Sequence, residues 1–224
     1  MHVILFDIDG TLIRSGGAGK DAMEGALRAA FQLAEIKDEV PYSGRTDCAI
    51  ARDLLRVHGI DTTADNQRKL QEAYLARLPE SLKSRGGKVL PGVHDLLASL
   101  RQRSEAVVGL LTGNIRVGAR TKLGHFGLWD FFAPCGGFGD GHFDRDDVAR
   151  MALREVRSHT GRDVDPADIW VIGDTPHDVK CARAIGAKAI AVATGWHPVA
   201  ELSACGPDHC FADLADERVL SVWD

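Results

Sequence analysis

The chain has 224 residues, of which 45% are hydrophobic and 26% are charged, and its formal net charge is -5. This size and apolar content suffice for one sizeable core with a small satellite unit. The lack of a basic excess argues against nucleic acid as the main partner. The first apolar run, residues 3–6, has no basic segment before it and is too short to span a bilayer, so neither a signal peptide nor a membrane partner is expected.

Five cysteines, an odd number, are scattered along the chain. This usage is typical of a reducing compartment, and we expect the protein to be cytoplasmic. The closest pair is Cys205 and Cys210, with His209 beside the second. That group has no second ligand pair at zinc spacing, so we interpret these cysteines as structural.

Short apolar runs without polar alternation predict buried parallel strands. In chain order they lie at residues 2–6, 106–111, 131–134, 169–172, 189–193 and 210–211. Helical patterns lie between most of them, beginning at Pro91, after Asp144 and after Pro176. The alternation indicates βαβ units, and therefore an α/β protein with a doubly wound, Rossmann-like parallel sheet.

Residues 15–88 contain no convincing strand. Three amphipathic helical patterns occupy residues 23–34, 50–57 and 70–82, and glycine pairs at 16–17 and 86–87 flank them as candidate hinges. We expect a Rossmann-like core formed by residues 1–14 and 89–224, with a small helical domain inserted at residues 15–88.

Polar residues follow three of the predicted strands. In open parallel sheets, ligands bind at the carboxyl ends of the strands, so these residues are expected to meet in one crevice. They are Asp7 and Asp9 after the first strand, Thr112, Gly113 and Asn114 after the second, and Asp174 and Asp178 after residues 169–172.

The residue types suggest phosphate chemistry. Carboxylate oxygens suit Mg²⁺, and Asp7 and Asp174 are candidates for two of its ligands. Asp7 and Asp9 are two residues apart and can face the same side, so one could attack phosphorus while the other handles the proton of the leaving oxygen. The hydroxyl and amides of residues 112–114 suit a phosphate oxygen. Each motif alone also occurs in ordinary turns, caps and loops; their joint position at strand ends favours the site.

These segments resemble the motifs of the haloacid dehalogenase-like hydrolase superfamily, and the resemblance covers essentially the whole chain. Asp-x-Asp-Gly-Thr stands at residues 7–11, a strand ending in Thr at residues 110–114, and Gly-Asp-x-x-x-Asp at residues 173–178. The helical insertion is similar to the mobile cap of the subgroup with an early helical cap, which includes phosphoglycolate phosphatases and β-phosphoglucomutases.

The resemblance implies a mechanism. Asp7 would attack the phosphoryl group to form an aspartyl-phosphate, and Asp9 would protonate the leaving alcohol and then activate water. Mg²⁺ would be held by the Asp7 carboxylate, the Asp9 backbone carbonyl and Asp174, with Asp178 nearby or acting through water. Thr112 would hold a phosphoryl oxygen.

The third motif of the superfamily is usually a lysine between the second and the fourth. Here we favour Arg145, which opens the helix before the fourth motif and can grip two oxygens at once. Lys122 is the alternative, and its closeness to Thr112 in the chain counts against it.

Retention of Asp9 favours phosphate esters, because a poor alkoxide leaving group needs a proton. A phosphatase is the preferred interpretation, and a sugar-phosphate mutase of the β-phosphoglucomutase type is the alternative. A non-catalytic phospho-signalling receiver is about half this length, lacks a cap and carries its phosphorylated Asp after the third strand. A binding-only relative is disfavoured because all the acidic positions are intact.

The substrate is expected to be a small phosphorylated metabolite, used by a monomer or a homodimer. In relatives, a cap loop like the one around Arg45 and Thr46 reads the leaving group. Arg45 is a candidate for binding a carboxylate or a second phosphate, which would favour an anionic substrate such as phosphoglycolate. The competing interpretation is that Thr46 or Ser43 caps the next helix while Arg45 is solvated.

Overall fold

The structure is a computed structural model that describes residues 1–37, 39–132 and 134–223. Eight strands are present in these ranges: β1 (His2–Phe6), β2 (Ile13–Arg14), β3 (Lys88–Val89), β4 (Ala106–Leu111), β5 (Gly136–Gly137), β6 (Ile169–Gly173), β7 (Lys188–Val192) and β8 (His209–Phe211). Six of them form one sheet in the order β5-β4-β1-β6-β7-β8, with every pair parallel. The other two, β2 and β3, form a separate antiparallel pair.

The described residues form eight α-helices: α1 (Ala18–Phe31), α2 (Asp47–Val57), α3 (Ala64–Arg85), α4 (Val93–Arg101), α5 (Arg116–His125), α6 (Arg145–Thr160), α7 (Pro176–Ala184) and α8 (Val199–Ala204). Within the ranges that the structure covers, none of these helices has the length and apolar character needed to cross a membrane.

The sheet is buried on both faces. Ile4 and Phe6 of β1 belong to a cluster that includes residues of α4 and α5, whereas Val3 and Leu5 belong to a second cluster with residues of α6 and α7. Because both faces are covered, the strands need apolar residues at every position, which explains the unbroken apolar runs. The doubly wound α/β prediction is therefore confirmed.

The strand predictions at residues 2–6 and 106–111 are confirmed at both ends, and those that became β6, β7 and β8 are each within one residue. The prediction at 131–134 is wrong. A 3-10 turn ends at Phe131, Ala133 lies outside the described residues, and the strand is Gly136–Gly137. A Cβ at Gly136 would collide with the carbonyl oxygen of Leu110, so this strand has no apolar side chain to reveal it.

The helices predicted near residues 93, 145 and 176 are confirmed, with Asp144 as the N-cap of α6. Helices α5 and α8 were not predicted. The buried face of helix α5 is formed by Gly118, Ala119, Lys122 and Leu123, so it has too few apolar residues to give a clear helical pattern. Its position matters because it carries Lys122.

Helices α1, α2 and α3, which we call the three-helix unit, pack around a cluster of their own that includes Leu27, Leu54 and Tyr74. At the two ends of the unit, β2 and β3 pair in a short ribbon, with Ile13 opposite Val89 and Arg14 opposite Lys88. The ribbon lies at the boundaries expected for the insertion, and the division into two domains stays a prediction.

Candidate active site

The carboxyl ends of β1, β4 and β6 open onto one cavity of about 520 Å³. Seven of the residues proposed from the sequence line it: Asp7, Asp9, Arg45, Gly113, Asn114, Arg145 and Asp174. The others, Thr46, Thr112 and Asp178, are buried residues that are not part of the described lining. The structure thus gathers groups that are up to 167 residues apart in sequence, the separation from Asp7 to Asp174.

Three buried carboxylates lie close together at the site. Asp7, Asp174 and Asp178 each offer an oxygen that lies within 4.8 Å of the others. Burial raises the pKa of Asp7 to about 6, and the neighbouring carboxylates add to this effect against the attraction of Arg145. Burial, with Asp178 and Asp7 nearby, raises the pKa of Asp174 well above its ordinary value. Such crowded oxygen donors fit a divalent cation, which reverses the charge balance.

The Asp-Gly-Thr sequence of the first motif shapes the pocket around Asp174. Gly10 has a φ of 89° and its backbone lies so close to Asp174 that a Cβ would collide with the carboxylate. The Thr11 hydroxyl donates a hydrogen bond of 3.1 Å to Asp174 Oδ1. A glycine is needed here for both the turn and the close approach.

Asp178 has two structural partners as well as its place in the carboxylate group. Its Oδ2 accepts hydrogen bonds from the Thr175 amide at 2.9 Å and the Thr175 hydroxyl at 2.7 Å. Its Oδ1 pairs with Arg145. Asp178 therefore caps the start of α7, and its carboxylate also lies beside the neighbouring charges; its role at the metal stays a prediction.

Arg145 is the first residue of α6 and is buried. One guanidinium nitrogen lies 3.3 Å from Asp7 Oδ1 and also contacts Asp178. Burial would lower the pKa of Arg145, but Asp178 and Asp7 raise it, so the group stays charged.

Lys122 also reaches the site. Its Nζ lies 2.6 Å from Asp9 Oδ2 and 2.6 Å from Asn114 Oδ1. Burial opposes the effect, but the ion pair with Lys122 and the Asn114 hydrogen bond lower the pKa of Asp9. The short separation from Thr112, which counted against Lys122, is no obstacle because α5 turns the side chain back towards the strand ends. Both candidates for the third motif therefore reach the site: Arg145 lies beside Asp7, and Lys122 lies beside Asp9.

The second motif also contacts another element of the fold. Thr112 is fully buried, and its hydroxyl accepts hydrogen bonds from the Asn114 amide at 3.3 Å and the Asn114 side chain at 2.8 Å. The Gly113 carbonyl accepts from the Asp47 amide at 2.8 Å, and the Ile115 amide donates to Asp47 Oδ2 at 3.0 Å. The first turn of α2 is therefore docked on this loop.

Thr46 is the N-cap of α2, and its assignment as a specificity residue stays a prediction. Its hydroxyl accepts from the Ala49 amide at 3.1 Å and donates to the His142 carbonyl at 2.8 Å, so both capacities are used away from the cavity. Arg45 does line the cavity, and it is not solvated as the competing interpretation held. Its guanidinium donates to Asp53 Oδ2 at 2.5 Å and to the Pro41 carbonyl at 3.1 Å.

Sequence reasoning missed several lining residues. The ribbon contributes Arg14, and the three-helix unit contributes Lys20 of α1, Tyr74 of α3 and Tyr42 in the loop before α2. Trp196 follows β7, and 90% of its surface is exposed. None of them belongs to a motif. Arg14, close behind the first motif, and Tyr42, in the cap loop that contains Arg45, had positions in the sequence that could have suggested a place in the cavity.

Comparisons with known proteins agree with this geometry. The sequence model of the family described as haloacid dehalogenase-like hydrolase matches residues 4–183. A phosphoglycolate phosphatase of Synechococcus elongatus is 31% identical over 93% of this chain and 91% of its own length. A phosphoglycolate phosphatase of Rhodospirillum rubrum is 30% identical over 95% of this chain and 89% of its own length.

Among solved structures, CbbY from Rhodobacter sphaeroides in complex with phosphate superposes with a TM-score of 0.76. It is 20% identical in sequence, and the match covers 96% of each chain. At this identity the likeness shows the shared fold.

Proposed function

Because the chain belongs to the haloacid dehalogenase-like hydrolase family and is a phosphatase, we propose that it hydrolyses a small phosphate monoester with the help of Mg²⁺ and an aspartyl-phosphate intermediate. One observation carries this proposal. Asp7 and Asp9 open onto the same cavity with different partners: Asp7 lies in the carboxylate group beside Arg145, and Asp9 is held by Lys122 and Asn114. Two differently placed carboxylates suit one nucleophile and one proton carrier.

In the first step, Asp7 would form a bond to phosphorus as the bond to the leaving oxygen breaks. Arg145 lies 3.3 Å from Asp7 and would offset the charge that gathers on the phosphoryl oxygens. Gly113 and Asn114 line the same cavity, and we assign their amides, with the Thr112 hydroxyl, to the phosphate.

The metal would be held by Asp7 and Asp174, with Asp178 acting nearby and the Asp9 carbonyl as a further oxygen. The three side chains fit this role because they are buried oxygen donors within 4.8 Å of one another. When bound, Mg²⁺ would offset the negative charge of the carboxylates and of the phosphate.

Asp9 would act as acid in the first step and as base in the second. Its lowered pKa favours the carboxylate, which is the form that takes a proton from water in the second step. In the first step Asp9 has to be protonated, and the ion pair with Lys122 opposes that form.

The three-helix unit would act as a cap that closes over the cavity and reads the leaving group. Three cationic side chains, those of Arg14, Lys20 and Arg45, line the cavity in addition to the two beside the carboxylates. These side chains favour a substrate with a second anionic group, such as phosphoglycolate. The two relatives described above are both named phosphoglycolate phosphatase.

We further propose a cytoplasmic protein that acts as a monomer or homodimer without nucleic acid or membrane partners. All five cysteines are free thiols, as expected in a reducing compartment.

The test is phosphate release from a panel of small phosphorylated metabolites and an aryl phosphate. We expect Asp7→Asn to lose at least about a thousandfold in kcat, because the bond-forming oxygen nucleophile is removed. EDTA should stop wild-type turnover and Mg²⁺ should restore it. Full activity of a correctly folded Asp7→Asn variant would contradict the proposal, and conversion of β-glucose 1-phosphate to its 6-phosphate isomer without phosphate release would assign the mutase activity instead.

A further inference from the structure

We propose that Lys122 is a positioning residue for Asp9, with a task separate from that of Arg145. It would hold the acid-base carboxylate in the orientation required for proton transfer, and it would not contact the reacting phosphorus group. This inference rests on the proposed function.

The contacts around Asp9 form a closed set. Lys122 Nζ is 2.6 Å from Asp9 Oδ2 and 2.6 Å from Asn114 Oδ1, and Asn114 Nδ2 is 2.9 Å from the same Asp9 oxygen. Each of the three groups therefore touches the other two. Such a triangle fixes the rotation of the Asp9 carboxylate, because turning it would break two charge-assisted hydrogen bonds.

The two oxygens of Asp9 are held unequally. Oδ2 accepts the two contacts from Lys122 and Asn114, whereas Oδ1 accepts one longer contact of 3.4 Å, from the Ser15 hydroxyl. Since Asp9 also lines the cavity, Oδ1 is the oxygen left to exchange a proton with the leaving group and with water.

Lys122 itself is fixed by its surroundings. It lies in the last turn of α5 and is buried, and a Cβ at Gly19 of α1 would come within 3.2 Å of its Nζ. The carboxylates of Asp9 and Asp47 both attract its charge. The ammonium group is therefore enclosed between the three-helix unit and the sheet.

The chemistry divides into two balanced steps. As Asp7 bonds to phosphorus, the ester bond breaks and the leaving oxygen takes a proton from Asp9. Water then attacks phosphorus, its proton passes to Asp9, and the bond from phosphorus to Asp7 breaks to release phosphate. An aryl oxide such as p-nitrophenolate leaves without a proton, so only the second step depends on Asp9 for that substrate.

The test is a pre-steady-state measurement with p-nitrophenyl phosphate. In Lys122→Met we expect the rate constant of the initial nitrophenolate burst to stay within about twofold, while steady-state kcat falls at least about tenfold as the acylphosphate accumulates. For an alkyl phosphate, kcat/KM should fall as well, because the first step with that substrate needs Asp9 held in the orientation that delivers its proton. Lys122→Arg keeps the charge and should recover part of the loss.

Lys83→Met is the matched control, since Lys83 is exposed at the end of α3 and outside the cavity, and its kinetics should equal those of the wild type. An equal fall of the burst and of kcat in Lys122→Met would overturn the inference, because it would place Lys122 on the phosphoryl group. Unchanged kcat would also overturn it. If Lys122→Met does not fold, Lys122→Arg is used for the same comparison. A wild-type protein inactive on both esters would instead refute the proposed function.

Discussion

Charged side chains at the strand ends are arranged as two separate groups. In one, Arg145 faces the three crowded carboxylates of Asp7, Asp174 and Asp178; in the other, Lys122 faces Asp9. Removing Arg145 would leave the buried carboxylates without their cation, and removing Asp9 would leave the buried Lys122 without its closest carboxylate; each loss costs more than the pair itself contributes. The effects of substitutions at these residues are therefore best measured as kinetic constants of variants that have been shown to fold.

Arg45 offers a test of substrate selection at the scale of one residue. Arg45→Ala should lower kcat/KM for phosphoglycolate at least about tenfold, since a hydrogen bond to a charged group contributes about 1.5–3 kcal/mol, and should leave p-nitrophenyl phosphate hydrolysis nearly unchanged. The measurement is the ratio of the two kcat/KM values.

The matched control is Arg52→Ala, because Arg52 also pairs with Asp53, at 3.4 Å, but does not line the cavity. An Arg45→Ala variant in which both substrates lose the same factor would rule out the specificity role. So would an equal effect of Arg52→Ala, which would assign the loss to Asp53.

Single residues were predictable where a motif has a fixed relation to a strand end. Asp7, Asp9 and Asp174 follow apolar strands whose parallel pairing brings them together, and the structure places them there. The position of Lys122 in the site was not expected, because α5 was not predicted. Its short separation from Thr112 in the sequence was taken as evidence against it, although a helix can bring such a residue back to the strand ends. For Thr46 the sequence left two interpretations, because a threonine before a helix can cap the helix or contact a ligand; the structure shows the cap, and the specificity role stays a prediction.

At the scale of elements, the contact between α2 and the loop after β4 decides the shape of the cavity. Gly113 is central to it: a Cβ there would collide with the Arg45 carbonyl oxygen, and the Gly113 carbonyl holds the Asp47 amide. The loop proposed to bind phosphate is thus also the seat of the three-helix unit.

Gly113→Ala should displace α2 from this seat. We expect kcat/KM to fall at least about tenfold, equivalent to about 1.4 kcal/mol of transition-state stabilisation, with faster amide hydrogen exchange in α2 and little change in the sheet. Activity and exchange mass spectrometry provide the two measurements.

Gly124→Ala is the control, because Gly124 lies in α5 where an alanine Cβ would meet no atom of another described segment within 4 Å. It should keep full activity and be neutral or slightly stabilising, as alanine suits a helix better than glycine. Wild-type activity and exchange in Gly113→Ala would show that the seat does not control the cavity.

The elements that could be predicted are those with side chains to bury. The apolar runs of β1 and β4 were placed to the residue, whereas β5 consists of two glycines and was misplaced onto the phenylalanines before it. Those aromatic residues pack on the core instead, with Phe132 edge-on to Phe6 at 6.2 Å. A strand of glycines that packs by close backbone approach has no apolar side chains, so the sequence shows no hydrophobic run at its position.

For the whole molecule, a cation held by the buried carboxylates would connect cation binding to folding stability. Mg²⁺ that binds only the folded chain should raise Tm by roughly 5–10 °C at a hundredfold excess over Kd, from about 2.7 kcal/mol of linkage and roughly 2–4 °C per kcal/mol for a chain of this size. Thermal unfolding with and without Mg²⁺ provides the measurement, independent of activity.

Asp174→Asn should lose most of this rise, yet be at least as stable as the wild type without Mg²⁺, because it removes one charge from a crowded group. Asp163→Asn, on an exposed surface position, should keep the full rise. The same Mg²⁺ response in Asp174→Asn would exclude this carboxylate from the cation site.

The ribbon of β2 and β3 has a consequence for how such chains diversify. Arg14 and Lys88 lie side by side in its register, so the chain leaves the sheet domain and returns to it at nearly the same point. An insert whose ends already meet can be lengthened, shortened or exchanged without rerouting the rest of the polypeptide. The architecture would therefore allow the three-helix unit to change while the sheet that carries the proposed catalytic residues stays the same.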